Sequence, residues 1–251
     1  MTHHETGSAV LVFIHGLIGS FADPRALSAL KPATTLAPDL HGYGSALPDR
    51  PDEITIDRQV DFVRRLIDRE ARNARVHLIG HSLGGVVAAG YAHQFPDRVA
   101  SFVNVEGNFT LADAFWSRQL AAKPPSEVQR IPDRDRSDPA GWLREAGIDR
   151  PRSCLGGRRS RGVSARHGRA CHGSGRRRIH RKPRYTRMLR HAFDQVPVHL
   201  VAGARSRSGC DVRDWAIDAA ASYTEIPDAG HMGMLEAPEA LGTELRRLLV
   251  P

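Results

Sequence analysis

The sequence has no apolar stretch that approaches the ~18–20 residues a helix needs to span a bilayer, and residues 1–8 are polar. The apolar run at 9–14 is too short for the hydrophobic part of a secretory leader. Only three of the 251 residues are cysteine, with no metal-ligand spacing and one left over in any disulfide scheme. We therefore expect a cytoplasmic protein with no membrane partner, no disulfide framework and no metal site.

Residues 150–187 lack acidic side chains, although they hold 14 of the 36 lysines and arginines. The rest of the chain has 22 basic and 28 acidic residues, so this segment alone accounts for the formal charge of +8. It also has few large apolar residues, whose burial would not offset the entropy lost on ordering the chain. We expect residues 150–187 to be disordered. Tyr185 is the only aromatic residue there to stack on a base, so we predict no specific nucleic-acid partner.

The change of composition at 150–187 also has a second explanation. A bias toward Arg, Gly, Ser and His between two stretches of ordinary sequence is what a shifted reading frame in GC-rich DNA produces. The coding DNA across residues 145–190 decides between a natural segment and a frame-shifted one.

On both sides of this segment, short apolar runs alternate with helical patterns. Strands are predicted at 9–14, 34–37, 75–79, 99–105, 196–202 and 223–226, and helices at 54–71, 83–95, 212–221 and 238–249. Such alternation is typical of βα units around a parallel sheet. We predict an α/β fold with a mostly parallel, doubly wound sheet. Its core comprises residues 1–108 and 191–251, and a cap is inserted at 109–190, after the strand that ends near Glu106.

Residues 80–85 (GHSLGG) place a G-x-S-x-G pentapeptide between a predicted strand and a predicted helix. In that context the serine occupies a sharp turn, and the flanking glycines let strand and helix approach closely. The turn lifts the Ser82 hydroxyl above the sheet, and the helix N-terminus offers its dipole and the N–H of Leu83 to an anion. Ser82 is the candidate nucleophile and Leu83 a candidate oxyanion-hole donor.

Two further candidates follow other predicted strands. His15 and Gly16 end the first strand, where the N–H of Leu17 is expected to be the second oxyanion donor. His231 follows the last strand, within residues 228–238 (DAGHMGMLEAP). A parallel sheet gathers its functional groups at the C-terminal ends of its strands. His231 is therefore the candidate general base for Ser82.

These motifs make the chain resemble the α/β-hydrolase superfamily, in particular its esterase, lactonase and dehalogenase-like branch. The resemblance is carried by residues 13–17 (FIHGL), 39–44 (DLHGYG), 80–85 and 229–231 (AGH). It covers about 9–108 and 196–250. It implies a Ser–His–acid triad, a small-molecule acyl substrate and no cofactor. The chain departs from the family pattern in its opening hairpin, which is missing or vestigial, and in its abnormal cap.

The acid of the triad has two candidate positions. In most members of the superfamily an aspartate follows the strand that corresponds to 198–202, but Ser206 stands there, and Asp211 lies further along the same loop. Other members carry the acid after the strand that follows the nucleophile helix, where this chain has Glu106. Glu106 is the first choice, as in dehalogenase-like members with a glutamate, and Asp211 is the alternative.

The roles follow from the chemistry of such triads. His231 takes the proton of Ser82 as the oxygen attacks a carbonyl, Glu106 orients the imidazole, and the N–H groups of Leu17 and Leu83 bind the oxyanion. Dehalogenase and epoxide hydrolase chemistry need a carboxylate in place of Ser82. We predict a carboxylesterase-like serine hydrolase (EC 3.1). The alternative is a binding protein on this fold with little or no turnover, inactivated by an altered cap. The substrate and the oligomeric state stay open.

Overall fold

The structure is a computed structural model that describes residues 9–17, 23–43, 46, 54–107, 109–110, 182–207 and 212–250, with scattered positions between 122 and 144. The elements, in chain order, are β1 (Val10–Ile14), α1 (Pro24–Ser28), β2 (Thr34–Leu36), α2 (Ile56–Glu70), β3 (Val76–His81), α3 (Leu83–Gln94), β4 (Val99–Val105), α4 (Lys182–Gln195), β5 (Val198–Gly203), α5 (Asp214–Ala219), β6 (Ser222–Ile226), α6 (Gly233–Glu236) and α7 (Pro238–Leu249).

The strands form one sheet in the order β2-β1-β3-β4-β5-β6, and every neighbouring pair is parallel. The inner strands β1, β3 and β4 are buried on both faces, as expected of a parallel sheet covered by helices on each side. The predicted α/β fold with its parallel sheet is confirmed. Because all strands run the same way, the residues that follow β1, β3, β4, β5 and β6 emerge at one edge of the sheet.

Helices cover the two faces of the sheet. α2, α3 and α4 pack on one face, and α1 and α7 on the other. α2 is amphipathic: Val60, Val63 and Ile67 are buried, and the Thr55 hydroxyl caps its N-terminus by accepting the N–H of Arg58. α3 is instead buried nearly all round, since it lies between the sheet, α2 and α4. Its small residues allow this close packing, which holds the start of α3 in place.

The predicted disorder of 150–187 is wrong at its C-terminal end, because Lys182–Gln195 is helical. Leu189 and Ala192 are fully buried in the core that α3 shares with the sheet, and Tyr185 and Met188 pack against it. Their spacing of three and four residues builds an apolar helix face, although arginines lie between them in the sequence. The helix at Lys182–Gln195 therefore packs on the core before β5 begins. The cap predicted at 109–190 otherwise lies outside the described residues, apart from scattered positions.

Within the described part of the chain, no helix combines the length and the apolar character needed to cross a membrane.

Candidate active site

Ser82 occupies the turn between β3 and α3 with φ 52° and ψ −120°. A positive φ destabilises a residue that has a Cβ by about 1–2 kcal/mol. Two backbone hydrogen bonds hold it there: the N–H of Ser82 donates to the Val105 carbonyl at 3.0 Å, and its own carbonyl accepts the N–H of Gly85 at 2.9 Å. The turn is therefore fixed from both sides.

The glycines beside Ser82 are required by the close approach of three backbone segments. A Cβ on Gly84 would lie 2.0 Å from the carbonyl oxygen of Ile14, and a Cβ on Gly80 would lie 2.7 Å from that of Gly84. Both distances are far below any van der Waals contact. The predicted strand–turn–helix context of Ser82 is thus present, with β1 pressed against the start of α3.

Glu106 and His231 meet at the same edge of the sheet. Nδ1 of His231 lies 3.2 Å from Oε2 of Glu106. Because a carboxylate only accepts, this contact fixes the tautomer with hydrogen on Nδ1 and leaves Nε2 as an acceptor. The Glu106 side chain is 2% exposed and that of His231 is 26% exposed. The arrangement supplies an oriented, partly accessible imidazole.

Two further donors orient Glu106, one from the last residue of β5 and one from the loop that follows. Oε1 accepts the N–H of Gly203 at 2.5 Å and the hydroxyl of Ser206 at 2.6 Å. Glu106 itself has φ 51°, so a second strained residue ends a strand beside Ser82. The role of Ser206 was not foreseen in the sequence. Asp211, the alternative acid, lies outside the described residues.

His81 links the turn at Ser82 to His231. Its Nε2–H donates to the backbone carbonyl of His231 at 2.8 Å, and the two ring centroids are 4.9 Å apart. Burial first, and the neighbouring His231 second, lower the pKa of His81 to about 3. His81 is therefore neutral at neutral pH and adds no positive charge beside His231. The sequence motif alone did not indicate this role.

The segment around Leu17 lies against Ser82. A Cβ on Gly16 would be 3.0 Å from the Cβ of Ser82, and the Tyr43 hydroxyl donates to the carbonyl of Leu17 at 2.9 Å. Leu83 is the first residue of α3, where backbone N–H groups lack helical partners. Both predicted oxyanion donors thus belong to segments that adjoin Ser82.

His15 holds the backbone of the segment around Leu17 through two hydrogen bonds. Its Nδ1–H donates to the Gly16 carbonyl at 2.8 Å, and its Nε2 accepts the N–H of Leu40 at 3.0 Å. Burial lowers the pKa of His15, so the ring stays in the neutral form that these two bonds require. His15 therefore stabilises the backbone at Gly16, which lies beside Ser82.

Comparison with protein families matches residues 11–243 to the Alpha/beta hydrolase family. The chain belongs to the α/β-hydrolase family. Solved structures show the same fold. The superposition of this α/β hydrolase on NosK from Streptomyces actuosus includes 97% of this chain and 100% of NosK, with a TM-score of 0.67 and 20% sequence identity. The superposition on a haloalkane dehalogenase from Agrobacterium tumefaciens includes 97% of this chain and 90% of the dehalogenase, with a TM-score of 0.65 and 20% sequence identity.

Curated relatives match a shorter stretch of this α/β hydrolase. It is 38% identical over 105 residues to "Probable esterase PIR7A" of Oryza sativa. The aligned stretch covers 39% of this chain and 39% of that protein. It is 32% identical over 110 residues to cis-3-alkyl-4-alkyloxetan-2-one decarboxylase of Shewanella oneidensis, 41% of this chain and 34% of that protein. The matches therefore span less than half the length of each relative.

In the part of this α/β hydrolase that the structure describes, no group of three or more His, Cys, Asp or Glu side chains is placed to hold a metal ion.

Proposed function

We propose that this α/β hydrolase is a serine hydrolase that cleaves an ester or related acyl bond of a small molecule through a covalent acyl-enzyme. The observation that carries the proposal is the 3.2 Å contact between Glu106 and His231, whose carbonyl accepts a hydrogen bond from His81, the residue before a serine held at positive φ. An activated nucleophile needs a base within reach and a third group that orients the base. Ser82, His231 and Glu106 are proposed for these three roles.

The reaction proceeds in two balanced steps. Nε2 of His231 takes the proton of Ser82 as its oxygen attacks the substrate carbonyl, and the carbonyl oxygen becomes an oxyanion that accepts the N–H groups of Leu17 and Leu83. The imidazolium of His231 then protonates the leaving alkoxide, so an alcohol departs and the acyl group stays on Ser82. One oxyanion donor typically contributes about 10²–10³ in rate.

Deacylation repeats these events with water as the nucleophile. His231 takes a proton from water, the hydroxide oxygen attacks the acyl-serine, and the proton returns to Ser82 as the carboxylic acid leaves. Glu106 stabilises the imidazolium in both steps. The name of the rice relative and a structure from work on carboxylesterases of Nitrososphaera gargenis (TM-score 0.67, 18% identity) lend support to an ester substrate.

A fluorophosphonate probe tests the proposal, because it phosphonylates only an activated serine. We expect one label per chain, located on Ser82 by mass spectrometry, and hydrolysis of p-nitrophenyl acetate that Ser82→Ala abolishes. Ser222→Ala is the matched control: its hydroxyl also contacts a histidine, at 2.9 Å from Nδ1 of His199, but it begins a strand rather than a nucleophile turn.

Loss of the label in Ser222→Ala, or its persistence in Ser82→Ala, would contradict the proposal. Labelling of Ser82 without turnover of any ester would instead favour a binding protein on this fold.

A further inference from the structure

Glu236 is a second buried carboxylate beside His231, and the reaction above does not use it. It ends α6, and its side chain is only 5% exposed. Its Oε2 accepts the N–H of Gly230 at 3.0 Å, and its Oε1 accepts the N–H of Met232 at 3.0 Å. The carboxylate thus bridges the two residues on either side of His231.

The loop after β5 connects Glu236 with Glu106. Arg205 forms an ion pair with Oε2 of Glu236, and its N–H donates to the Ala229 carbonyl at 2.9 Å. The neighbouring Ser206 contacts Glu106. The end of β5 and the loop after it, residues 203–206, therefore contact both the carboxylate that orients the His231 ring and the carboxylate that holds the His231 backbone.

A buried carboxylate is costly to desolvate unless it is paired and hydrogen-bonded. Glu236 meets this requirement with two backbone donors and Arg205, and both of its oxygens are engaged. Charge-assisted bonds of this kind are stronger and more strictly oriented than neutral ones. From the opposite side, His81 donates to the His231 carbonyl. Hydrogen bonds thereby hold the backbone at Gly230, His231 and Met232.

We propose that Glu236 is a positioning residue for His231. By accepting the N–H groups of Gly230 and Met232 together, it fixes the backbone from which the imidazole projects, so that the ring meets Glu106 and Ser82 in one orientation. The inference rests on the proposed function and adds a residue to it. A displacement of about 1 Å in such a group costs up to about a hundredfold in rate.

The test compares Glu236→Gln with Glu239→Gln in the full chain. The glutamine keeps size but offers one acceptor oxygen for two N–H groups. Glu239 is three residues along the chain, 60% exposed and ion-paired with Arg25, so it is a matched control. The measurements are kcat and KM for p-nitrophenyl acetate and the proton resonance of the His231 Nδ1–H that is hydrogen-bonded to Glu106.

For folded Glu236→Gln we expect kcat to fall about ten- to a hundredfold, KM to stay near the wild-type value, and the His231 resonance to shift or broaden. Glu239→Gln is expected to leave all three unchanged. A folded Glu236→Gln with wild-type kcat and resonance, or with its whole loss in KM, would overturn the proposal.

Glu236→Asp serves if the glutamine variant does not fold. It keeps the buried charge but is one methylene too short to reach both N–H groups, so a smaller loss in kcat with the same spectral change is expected, and wild-type values would refute the proposal. Absence of labelling or turnover in the wild type would refute the proposed function alone, because the His231 resonance still reports on Glu236.

Discussion

The hydroxyl of Ser206 donates to Oε1 of Glu106 over 2.6 Å. The resemblance to the superfamily predicts an aspartate at this position, where the sequence has Ser206. Here that position supplies a donor to a carboxylate that comes from the end of β4. A hydroxyl beside Glu106 stabilises the carboxylate, whereas an aspartate there would repel it.

Glu106→Gln is expected to lower kcat by about 10²–10⁴, because a neutral amide neither fixes the tautomer of His231 nor stabilises the imidazolium. Ser206→Ala should cost less than about tenfold, since the N–H of Gly203 still holds Glu106. The measurement is the steady-state rate on an ester for each folded variant. Asp211→Asn is the comparison, and a loss of activity there with Glu106→Gln active would refute Glu106 as the acid.

Ser82→Gly is expected to be more stable than Ser82→Ala by about 1 kcal/mol, although both are inactive. At φ 52° an alanine pays for its Cβ and a glycine does not. Urea unfolding of the two variants measures the difference. Ser101 lies within the extended strand β4, so the same pair there provides the control, and alanine should be the more stable residue. Equal stabilities at Ser82 would mean that the turn is unstrained.

Tyr43→Phe is expected to lower kcat several-fold while KM stays near its wild-type value. The variant removes the hydroxyl that donates to the Leu17 carbonyl at 2.9 Å, and this frees a peptide segment proposed to bind the oxyanion. Tyr223→Phe removes a comparable hydrogen bond, to Glu225 on β6, and should leave kcat unchanged. If both variants behave alike, Tyr43 acts only through stability.

The free energy of unfolding is expected to fall as the pH drops from 7 to 5. The unfolded chain protonates His81 near its ordinary pKa of 6.5, whereas the folded chain resists until about pH 3, so protons favour unfolding throughout this interval. His81 alone accounts for about 2 kcal/mol between pH 7 and 5. The lowered pKa values of His15, His77 and His199 act in the same direction.

His81→Gln checks the share of His81. The glutamine amide can still donate to the His231 carbonyl but does not titrate. Urea unfolding at pH 7 and pH 5 should therefore show a smaller loss of stability than in the wild type. An unchanged loss would show that His81 is not the group responsible.

Much of the fold was predictable because its information is local. β1 is an uninterrupted apolar run (VLVFI), which is typical of a strand buried on both faces. The G-x-S-x-G segment between a strand and a helix locates Ser82, since the glycines and the turn occupy adjacent positions. Composition does not predict α4, because the basic residues of 182–187 continue the Arg-rich pattern before them, although the apolar residues that follow complete a helical face.

The sequence left two candidates, Glu106 and Asp211, for the carboxylate that faces the imidazole of His231, because the contacts of Glu106 are distant along the chain. Its partner His231 lies 125 positions away and its donor Ser206 lies 100 positions away. The same holds for Glu236, whose contacts with the His231 loop and Arg205 depend on how α6 folds back. The sequence by itself determined the strands, the nucleophile turn and the candidate base, since each is set by neighbouring residues. Only the tertiary structure decided which carboxylate faces the imidazole and what holds it, because parallel strands bring together chain segments that are far apart in sequence.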